Sequence, residues 1–203
     1  MRDDLIFTIG RQYGSGGREV GELLAKELGI PFYDKELLLE AAKDSDYTEE
    51  IMDSFDEKPV RTLLYSVAMG GVNGWGAQEM PISVKAFLAQ LQTIQRLAEE
   101  NRSCVFVGRC ADYALREKKN VVNAFISADE EVRISRIMEY DNVKEDKARS
   151  IMHKIDKTRA GYYNYYTEQD WGAAGNYHLT VNSALIGTQG CVDVIKEFAS
   201  HVE

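Results

Sequence analysis

The chain alternates between short apolar runs and longer segments in which apolar residues recur every three or four positions. The runs are rich in Val, Ile, Leu and Phe, as in strands buried on both faces, and cover 5–9, 30–33, 104–107, 121–126 and 177–181. The periodic segments predict helices over 20–28, 84–97, 129–138, 144–166 and 192–198. Strands that alternate with helices predict an α/β fold with a mostly five-stranded parallel sheet and helices on both faces.

The segment between the second and third predicted strands has a different character. Asp34 can cap a short helix over 37–39, and an acidic stretch over 44–57 predicts a further helix. Residues 68–81 contain four glycines and no periodicity, which predicts a loop around Trp75. That loop either closes over a ligand or is a plain surface loop.

Length and charge narrow the class of protein. The 203 residues correspond to about one compact domain, and we expect 1–203 to form a single domain. The chain has 24 basic and 33 acidic residues, which gives a net charge of −9. Such an acidic balance predicts no nucleic-acid partner and no membrane partner, although a small basic pocket for a phosphorylated ligand is compatible with it.

Cysteine usage and the first residues bear on location. The three cysteines include no CxxC pair, so we expect reduced thiols rather than a disulfide framework or a zinc site. The first apolar run is too short for a signal peptide, and no stretch approaches the ~20 apolar residues that span a bilayer. These features predict a cytoplasmic protein; the sequence predicts no particular oligomeric state.

A glycine-rich turn, GRQYGSGG over 10–17, joins the first predicted strand to the first helix. Glycines allow positive φ and close approach to oxygens, and successive N–H groups at a helix start form an anion site. The turn differs from the phosphate loop G-x-x-x-x-G-K-[ST], because five residues separate Gly10 from Gly16 and Gly17 stands where the lysine belongs. Arg11 and Arg18 are the nearest cations. A purely structural turn is the alternative.

Longer stretches carry a resemblance to a known family. GRQYGSGGREVGELLAKELGIPFYD resembles the opening of the cytidylate kinase-like family, relatives of the P-loop nucleoside monophosphate kinases. CVFVGRCADYAL, ISADEEVRISRIMEY, IDKTRAGYYNYYTEQDW and NYHLTVNSALIG follow in the order expected for that family. The resemblance implies a three-layer P-loop kinase fold with an acceptor-binding insertion over 34–102 and a helical lid over 129–170.

The resemblance assigns ATP to the first loop. The residues it implicates are Gly10, Arg11, Gly14, Ser15, Gly16, Gly17, Arg18 and Glu19. Arg18 would do the work of the missing lysine on the β and γ phosphates, although its planar guanidinium differs from an ammonium group in geometry. Glu19 either contacts Mg²⁺ through water or simply favours the helix N-terminus. The acid that usually ends the third strand is replaced by Val107, so the resemblance implies Mg²⁺ without a complete site.

The same resemblance assigns an acceptor to residues that follow later strands. Asp34 would bind the acceptor's ribose or base, or serve as a helix cap, or do both. Arg109 would bind the acceptor phosphate, the alternative being a solvated surface arginine. Asp112 would orient Arg109 or a metal-bound water, or cap the next helix. Asp156 is the fourth residue assigned to substrate.

The lid of the resembled kinases carries arginines that close over the phosphoryl group. Here they correspond to Arg133, Arg136 and Arg159, which we expect to stabilise charge during transfer. The alternative is a pair of exposed helices in which Arg133 pairs with Glu130 or Glu131. The tyrosines of 162–166 are more typical of packing than of base stacking.

The leading functional prediction is ATP-dependent phosphoryl transfer to a nucleoside monophosphate, most simply CMP or dCMP. Its partners would then be small nucleotides. Two alternatives stay open: a non-catalytic nucleotide-binding sensor or partner-binding protein, which the missing lysine favours, and a kinase for another small acceptor.

Overall fold

The computed structural model describes residues 2–34 and 81–202. The predicted helices over 37–39 and 44–57 and the loop around Trp75 lie outside the described residues. Of the predicted acceptor-binding insertion over 34–102, only Asp34 and the part from Pro81 onward are described.

The described strands form one parallel sheet in the order β2-β3-β1-β4-β5. They are β1 (Ile6–Arg11), β2 (Phe32–Tyr33), β3 (Cys104–Val107), β4 (Val121–Ser127) and β5 (Leu179–Asn182). This arrangement confirms the predicted five-stranded parallel sheet. The last strand begins two residues later than the apolar run that predicted it.

The described helices follow the strands in alternation. They are α1 (Gly17–Leu28), α2 (Ile82–Glu100), α3 (Ala111–Ala114), α4 (Glu130–Asp141), α5 (Glu145–Thr167) and α6 (Ser183–Ser200). The sequence placed the last helix too late, because α6 begins directly after β5. The side chain of Asn182 accepts the N–H of Ala184 and so caps it, and Gly187 kinks the helix with φ 69°.

Alternating strand residues send their side chains to two separate apolar layers. On one face Phe7 and Ile9 of β1 pack with α1 and α6, through residues such as Leu24 and Ile195. On the other face Ile6 packs with α2 and α3. The sheet is therefore covered on both faces, which fixes the three-layer architecture and places the carboxyl ends of the strands at one edge.

Helices α4 and α5 form a hairpin with its own small core of Ile134, Ile137, Ala148 and Met152. Tyr13, from the loop after β1, packs against that core. The hairpin thus rests on the glycine-rich loop rather than standing apart from it.

All three cysteines are free and buried. Within residues 2–34 and 81–202, no helix combines the length and apolar character needed to cross a membrane.

Candidate functional site

The glycine-rich loop leaves the start of α1 open to a ligand. Gly14 and Gly16 both have φ 77°, a left-handed conformation that other residues adopt at a cost. Gly16 occupies the N-cap position and provides no side chain to bind the amides of the first turn. A cleft of about 490 Å³ lies against these residues and is lined by Gly14, Gly16, Gly17 and Glu19 among others. The geometry suits a polyphosphate.

Close packing explains why two of these positions are glycine. A Cβ at Gly14 would lie 2.8 Å from the carbonyl oxygen of Arg133, and one at Gly16 would lie 2.9 Å from Cγ2 of Thr188. The loop is therefore pressed against α4 on one side and α6 on the other, and a side chain at either position would displace it.

Both main-chain groups of Tyr13 are held by an ion pair between the buried Arg133 and the half-buried Asp156. Asp156 accepts the Tyr13 N–H at 2.8 Å, and Nε of Arg133 donates to the Tyr13 carbonyl at 2.7 Å. Arg133 and Asp156 also bind each other through Nη2 and Oδ2. The α4–α5 hairpin thereby fixes the direction of the Tyr13 peptide groups, and hence of the next N–H, because a trans peptide points its N–H opposite its carbonyl.

Two more loop carbonyls accept hydrogen bonds from later elements. Arg136 contacts the Gly14 carbonyl at 3.4 Å and donates to Oγ of Ser183 at 2.9 Å. Ser183 in turn donates to the Ser15 carbonyl at 2.6 Å. The conformation of the loop therefore depends on α4 and on the first residue of α6.

The alternative partners predicted for Arg133 are wrong. Glu130 and Glu131 bind Arg149 instead, which also contacts Glu145 and links α4 to α5 at an exposed position. Arg133 is buried and not exposed. The predicted lid role of Arg133, Arg136 and Arg159 stays a prediction. In this structure the three guanidiniums contact loop carbonyls, Arg159 through the carbonyl of Arg11 at 3.2 Å.

Arg18 points toward the end of β2. It donates to Oδ2 of Asp34 from Nε at 2.9 Å and from Nη2 at 2.6 Å, and to Glu22 at 3.0 Å. Its guanidinium carbon lies 5.6 Å from the centre of the Phe32 ring. Asp34 is buried, whereas the Arg18 side chain is 59% exposed. Arg18, which the sequence assigned to the phosphates of ATP, therefore contacts Asp34, which the sequence assigned to the acceptor molecule.

A second, small cavity of about 20 Å³ lies where β1 and β3 end. Gly108, Arg109 and Cys110 follow β3 with φ 74°, 61° and 53°. Two successive non-glycine residues in the left-handed region are strained, a feature that clusters at functional sites. This turn directs Arg109, which is 6% exposed, into the lining of the cavity.

Asp112, which is half-buried, lines the same cavity. Its Oδ2 accepts the Tyr163 hydroxyl at 2.7 Å, and that hydroxyl also lies 3.0 Å from Oε1 of Gln169. Burial raises the pKa of Asp112, although the hydrogen bond from Tyr163 opposes that shift. Asp112 lies in the first turn of α3, for which Cys110 is the N-cap residue.

The tyrosines of 162–166 serve mainly in packing, as their spacing indicated. Tyr162 and Tyr163 are buried with Phe87, and Tyr166 stacks on Phe87 with ring centres 4.1 Å apart. Tyr162 and Tyr163 also line the small cavity, so this packing forms one of its walls.

Two arginines belong to both hollows. Arg11 and Arg159 line the cleft beside the glycine-rich loop and also the cavity at the end of β3. The guanidinium carbon of Arg159 lies 5.6 Å from the centre of the Tyr13 ring. Positive charge therefore stands between the two hollows.

Few carboxylates that could bind a metal ion lie near the glycine-rich loop. Among the described ranges no group of three or more His, Cys, Asp or Glu side chains is placed to hold a metal ion. Glu19 lines the cleft, and its Oε1 accepts the hydroxyl of Thr188 at 3.2 Å. One carboxylate can reach a cation that arrives with a nucleotide, so the role of Glu19 through water stays a prediction.

Sequence reasoning missed three residues that shape the loop: Tyr13, Thr188 and Ser183. The available signal for Ser183 was its position directly after the fifth strand, because the carboxyl ends of parallel strands meet at one edge. No local pattern marks Thr188, whose contact with the loop depends on the kink at Gly187.

Comparisons with known proteins agree with this geometry. An uncharacterized protein from Eubacterium ventriosum ATCC 27560 is 30% identical, with 97% of this chain and 99% of that chain covered and a TM-score of 0.75. A shikimate kinase from Bacteroides thetaiotaomicron (13% identity, 97% and 98% covered, TM-score 0.53) shares the fold. So does a gluconokinase from Sinorhizobium meliloti 1021 (14% identity, 98% and 96% covered, TM-score 0.53).

These likenesses establish the predicted P-loop kinase fold. No curated protein matches the chain. The family model of the cytidylate kinase-like family matches residues 6–185. That match spans most of the chain and includes the glycine-rich loop, the turn after β3 and the α4–α5 hairpin. The chain therefore belongs to the cytidylate kinase-like family.

Proposed function

We propose that the protein transfers a phosphoryl group from ATP to a small acceptor, most simply the nucleoside monophosphate CMP or dCMP. The observation that carries this proposal is the position of Arg11 and Arg159, which line both the loop cleft and the cavity at the end of β3. Phosphoryl transfer needs cations between donor and acceptor, because negative charge on the moving group must be stabilised while it is in transit.

The cleft supplies the donor side. The amides of Gly14, Gly16 and Gly17 would bind the phosphates of ATP, since the first turn of α1 lacks a side-chain cap and is electropositive. Mg²⁺ would arrive with ATP. Of the two carboxylates in the cleft wall, Glu19 and Glu22, Glu19 would meet it through water. Arg136 and Ser183 would keep the loop in shape.

The cavity at the end of β3, with a volume of about 20 Å³, would receive one anionic group of the acceptor. Arg109 would bind an anionic group of the acceptor, because a buried guanidinium makes strong paired hydrogen bonds with phosphate. Asp34, oriented by Arg18, would bind a hydroxyl or base of the same molecule. A phosphate oxygen that attacks is already ionised, so a nucleoside monophosphate requires no general base.

The test is ADP formation from ATP with a panel of ribonucleoside and deoxyribonucleoside monophosphates. We expect turnover with at least one of them, and highest with CMP or dCMP. ATP binding without turnover of any monophosphate would contradict transfer to a nucleoside monophosphate, and would support a nucleotide-binding sensor if hydroxyl-bearing acceptors also give no turnover. An assay of the Arg159→Ala variant, which should lose most of the turnover, links any activity found to this site.

The Asp112 carboxyl favours a second candidate, a kinase for a hydroxyl acceptor. A half-buried carboxyl group whose pKa is raised is suited to accept a proton from an attacking hydroxyl group. A thermal-shift screen of hydroxyl-bearing metabolites in the presence of ATP separates the two candidates, because a ligand of the folded state raises Tm. Under this candidate hydroxyl acceptors raise Tm and monophosphates do not.

A further inference from the structure

Gly17 occupies the lysine position of the loop, and the space for a side chain there is already filled. A Cβ at Gly17 would lie 2.3 Å from Cβ of Arg11, 3.1 Å from its Cγ and 3.2 Å from Cβ of Ile126. No pair of carbon atoms packs at 2.3 Å without a covalent bond. The stem of Arg11 therefore occupies the volume in which the stem of a lysine at position 17 would begin.

The other end of Arg11 reaches the acceptor side. A Cβ at Gly108 would lie 1.9 Å from Nη1 of Arg11 and 2.7 Å from its Cζ. The guanidinium thus lies directly against the turn that follows β3, where Gly108 has φ 74°. A glycine at each end, Gly17 at the stem and Gly108 at the head, leaves room for this one side chain.

The other nearby cation, Arg18, lines the loop cleft but not the small cavity. Its guanidinium makes two hydrogen bonds to Asp34, which follows β2, and one to Glu22 in α1. Arg11, in contrast, lines both the loop cleft and the small cavity. Of the two, Arg11 is the one that lies along a path from donor phosphates to acceptor.

We propose that Arg11, and not Arg18, is the phosphate-binding cation that takes the place of the missing loop lysine. This rests on the proposed function, because it assigns a role within the same nucleotide site. The last residue of β1 carries the cation instead of the first residue of α1. Glycine at position 17 leaves the space that the Arg11 side chain needs. A guanidinium offers a planar fork to two phosphate oxygens where an ammonium offers a point charge.

The test exchanges the two positions. Arg11→Gly removes the cation together with its Cβ, Gly17→Lys adds a lysine against an intact Arg11, and the double variant combines the changes. Binding of sodium tripolyphosphate and of ATP is measured by titration calorimetry, and folding by Tm. We expect Arg11→Gly to weaken binding by about 10- to 100-fold, the scale of one charge-assisted contact. Gly17→Lys should lower Tm, because its stem collides with Arg11.

The double variant is decisive, because it restores the ordinary loop lysine in the space that Arg11 vacates. We expect it to recover Tm relative to Gly17→Lys and to bind tripolyphosphate within about fivefold of the wild type. Arg11→Lys, which keeps a cation in place, covers the case in which the double variant fails to fold, and should retain binding within about tenfold. Lys26→Ala removes an exposed cation from the last turn of α1 and is the matched control.

The outcomes separate the two proposals. Wild-type binding in Arg11→Gly, or no recovery in a folded double variant, would overturn the role of Arg11 while leaving phosphoryl transfer standing. Tight tripolyphosphate binding that depends on Arg11, without turnover of any acceptor, would overturn the transfer and support Arg11. A wild-type protein that binds neither ATP nor tripolyphosphate would overturn both.

Discussion

Two hydrogen bonds from Arg18, at 2.9 Å from Nε and 2.6 Å from Nη2, meet on a single carboxylate oxygen of Asp34. They link the second residue of α1 to the residue that follows β2, and so join the two sides of the candidate site. Under the proposed function, this exposed arginine would act on the acceptor, through the buried Asp34, more directly than on ATP.

Replacement of Arg18 by alanine should therefore weaken acceptor binding more than ATP binding. We expect the acceptor KM to rise by about tenfold, because Asp34 loses its charged partner, while ATP affinity changes by less than about threefold. Steady-state kinetics with each substrate varied in turn gives the split. Glu22→Ala, which removes the exposed partner of Arg18, should leave both constants near wild type. A loss of ATP affinity by tenfold or more in Arg18→Ala would return the lysine's role to Arg18.

Arg109→Ala should impair the acceptor side alone. A buried guanidinium that binds an anionic group contributes about 1.5–3 kcal/mol, so we expect the acceptor kcat/KM to fall by about 10- to 100-fold with ATP binding little changed. Arg116→Ala provides the matched control, since Arg116 is a half-exposed arginine of the same segment that pairs with Glu117. Equal losses in the two variants would remove Arg109 from the site.

Breaking the pair between Arg133 and Asp156 should loosen the loop as well as the hairpin. Arg133→Met leaves a largely buried carboxylate without its ion-pair partner, which lowers the free energy of unfolding by about 3–5 kcal/mol. Nucleotide affinity should fall with it, because Tyr13 loses the guanidinium that holds its carbonyl. Denaturant unfolding and calorimetry measure the two effects.

The pair also allows a coupling test. Addition of Asp156→Asn to Arg133→Met removes the stranded charge and should recover part of the stability. Arg149→Ala breaks an exposed bridge between the same two helices and should cost less than about 1 kcal/mol with unchanged nucleotide affinity. A loss of nucleotide affinity in Arg149→Ala as large as in Arg133→Met would show that hairpin stability alone accounts for the effect.

Asp112→Asn should stabilise the protein at neutral pH. Burial holds the folded-state pKa of Asp112 above its ordinary value of 3.8. The contribution of this group to folding stability is therefore fully present below pH 3.8 and is lost as pH rises through the folded-state pKa. Asparagine can still accept the Tyr163 hydroxyl but has no charge to bury. We expect the variant to have a higher Tm than the wild type at pH 7, where each kcal/mol of stabilisation raises Tm by about 2–4 °C. The difference in Tm should shrink toward pH 4.

Asp146→Asn, an exposed change at the start of α5, should shift Tm little at any pH. A Tm difference between Asp112→Asn and wild type that stays constant from pH 4 to pH 7 would contradict the titration. If Asp112 takes the proton of a hydroxyl acceptor, the same stabilised variant loses turnover, which is the pattern expected where stability and activity oppose each other.

Sequence patterns predict the secondary structure well where local interactions control it. The apolar runs and the three- and four-residue periodicities predicted all five strands and the helices α1, α2, α4 and α5 within a few residues, because burial imposes those patterns directly. The glycine-rich turn after β1 likewise follows from local backbone needs, since Gly14 and Gly16 do adopt positive φ. The start of α6 was missed, because its signal is a cap at Asn182 and a kink at Gly187 rather than a period.

Only the tertiary structure decided which charges meet. Arg133 lies beside two acidic residues in sequence, yet its partners are Tyr13, 120 positions away, and Asp156. The exclusion of a lysine at Gly17 by Arg11, and the reach of Arg11 to Gly108, likewise depend on how β1, α1 and β3 pack. The sequence by itself determined the α/β sheet and the glycine-rich turn, whereas long flexible side chains find their partners through the packing of distant segments, which no local pattern records.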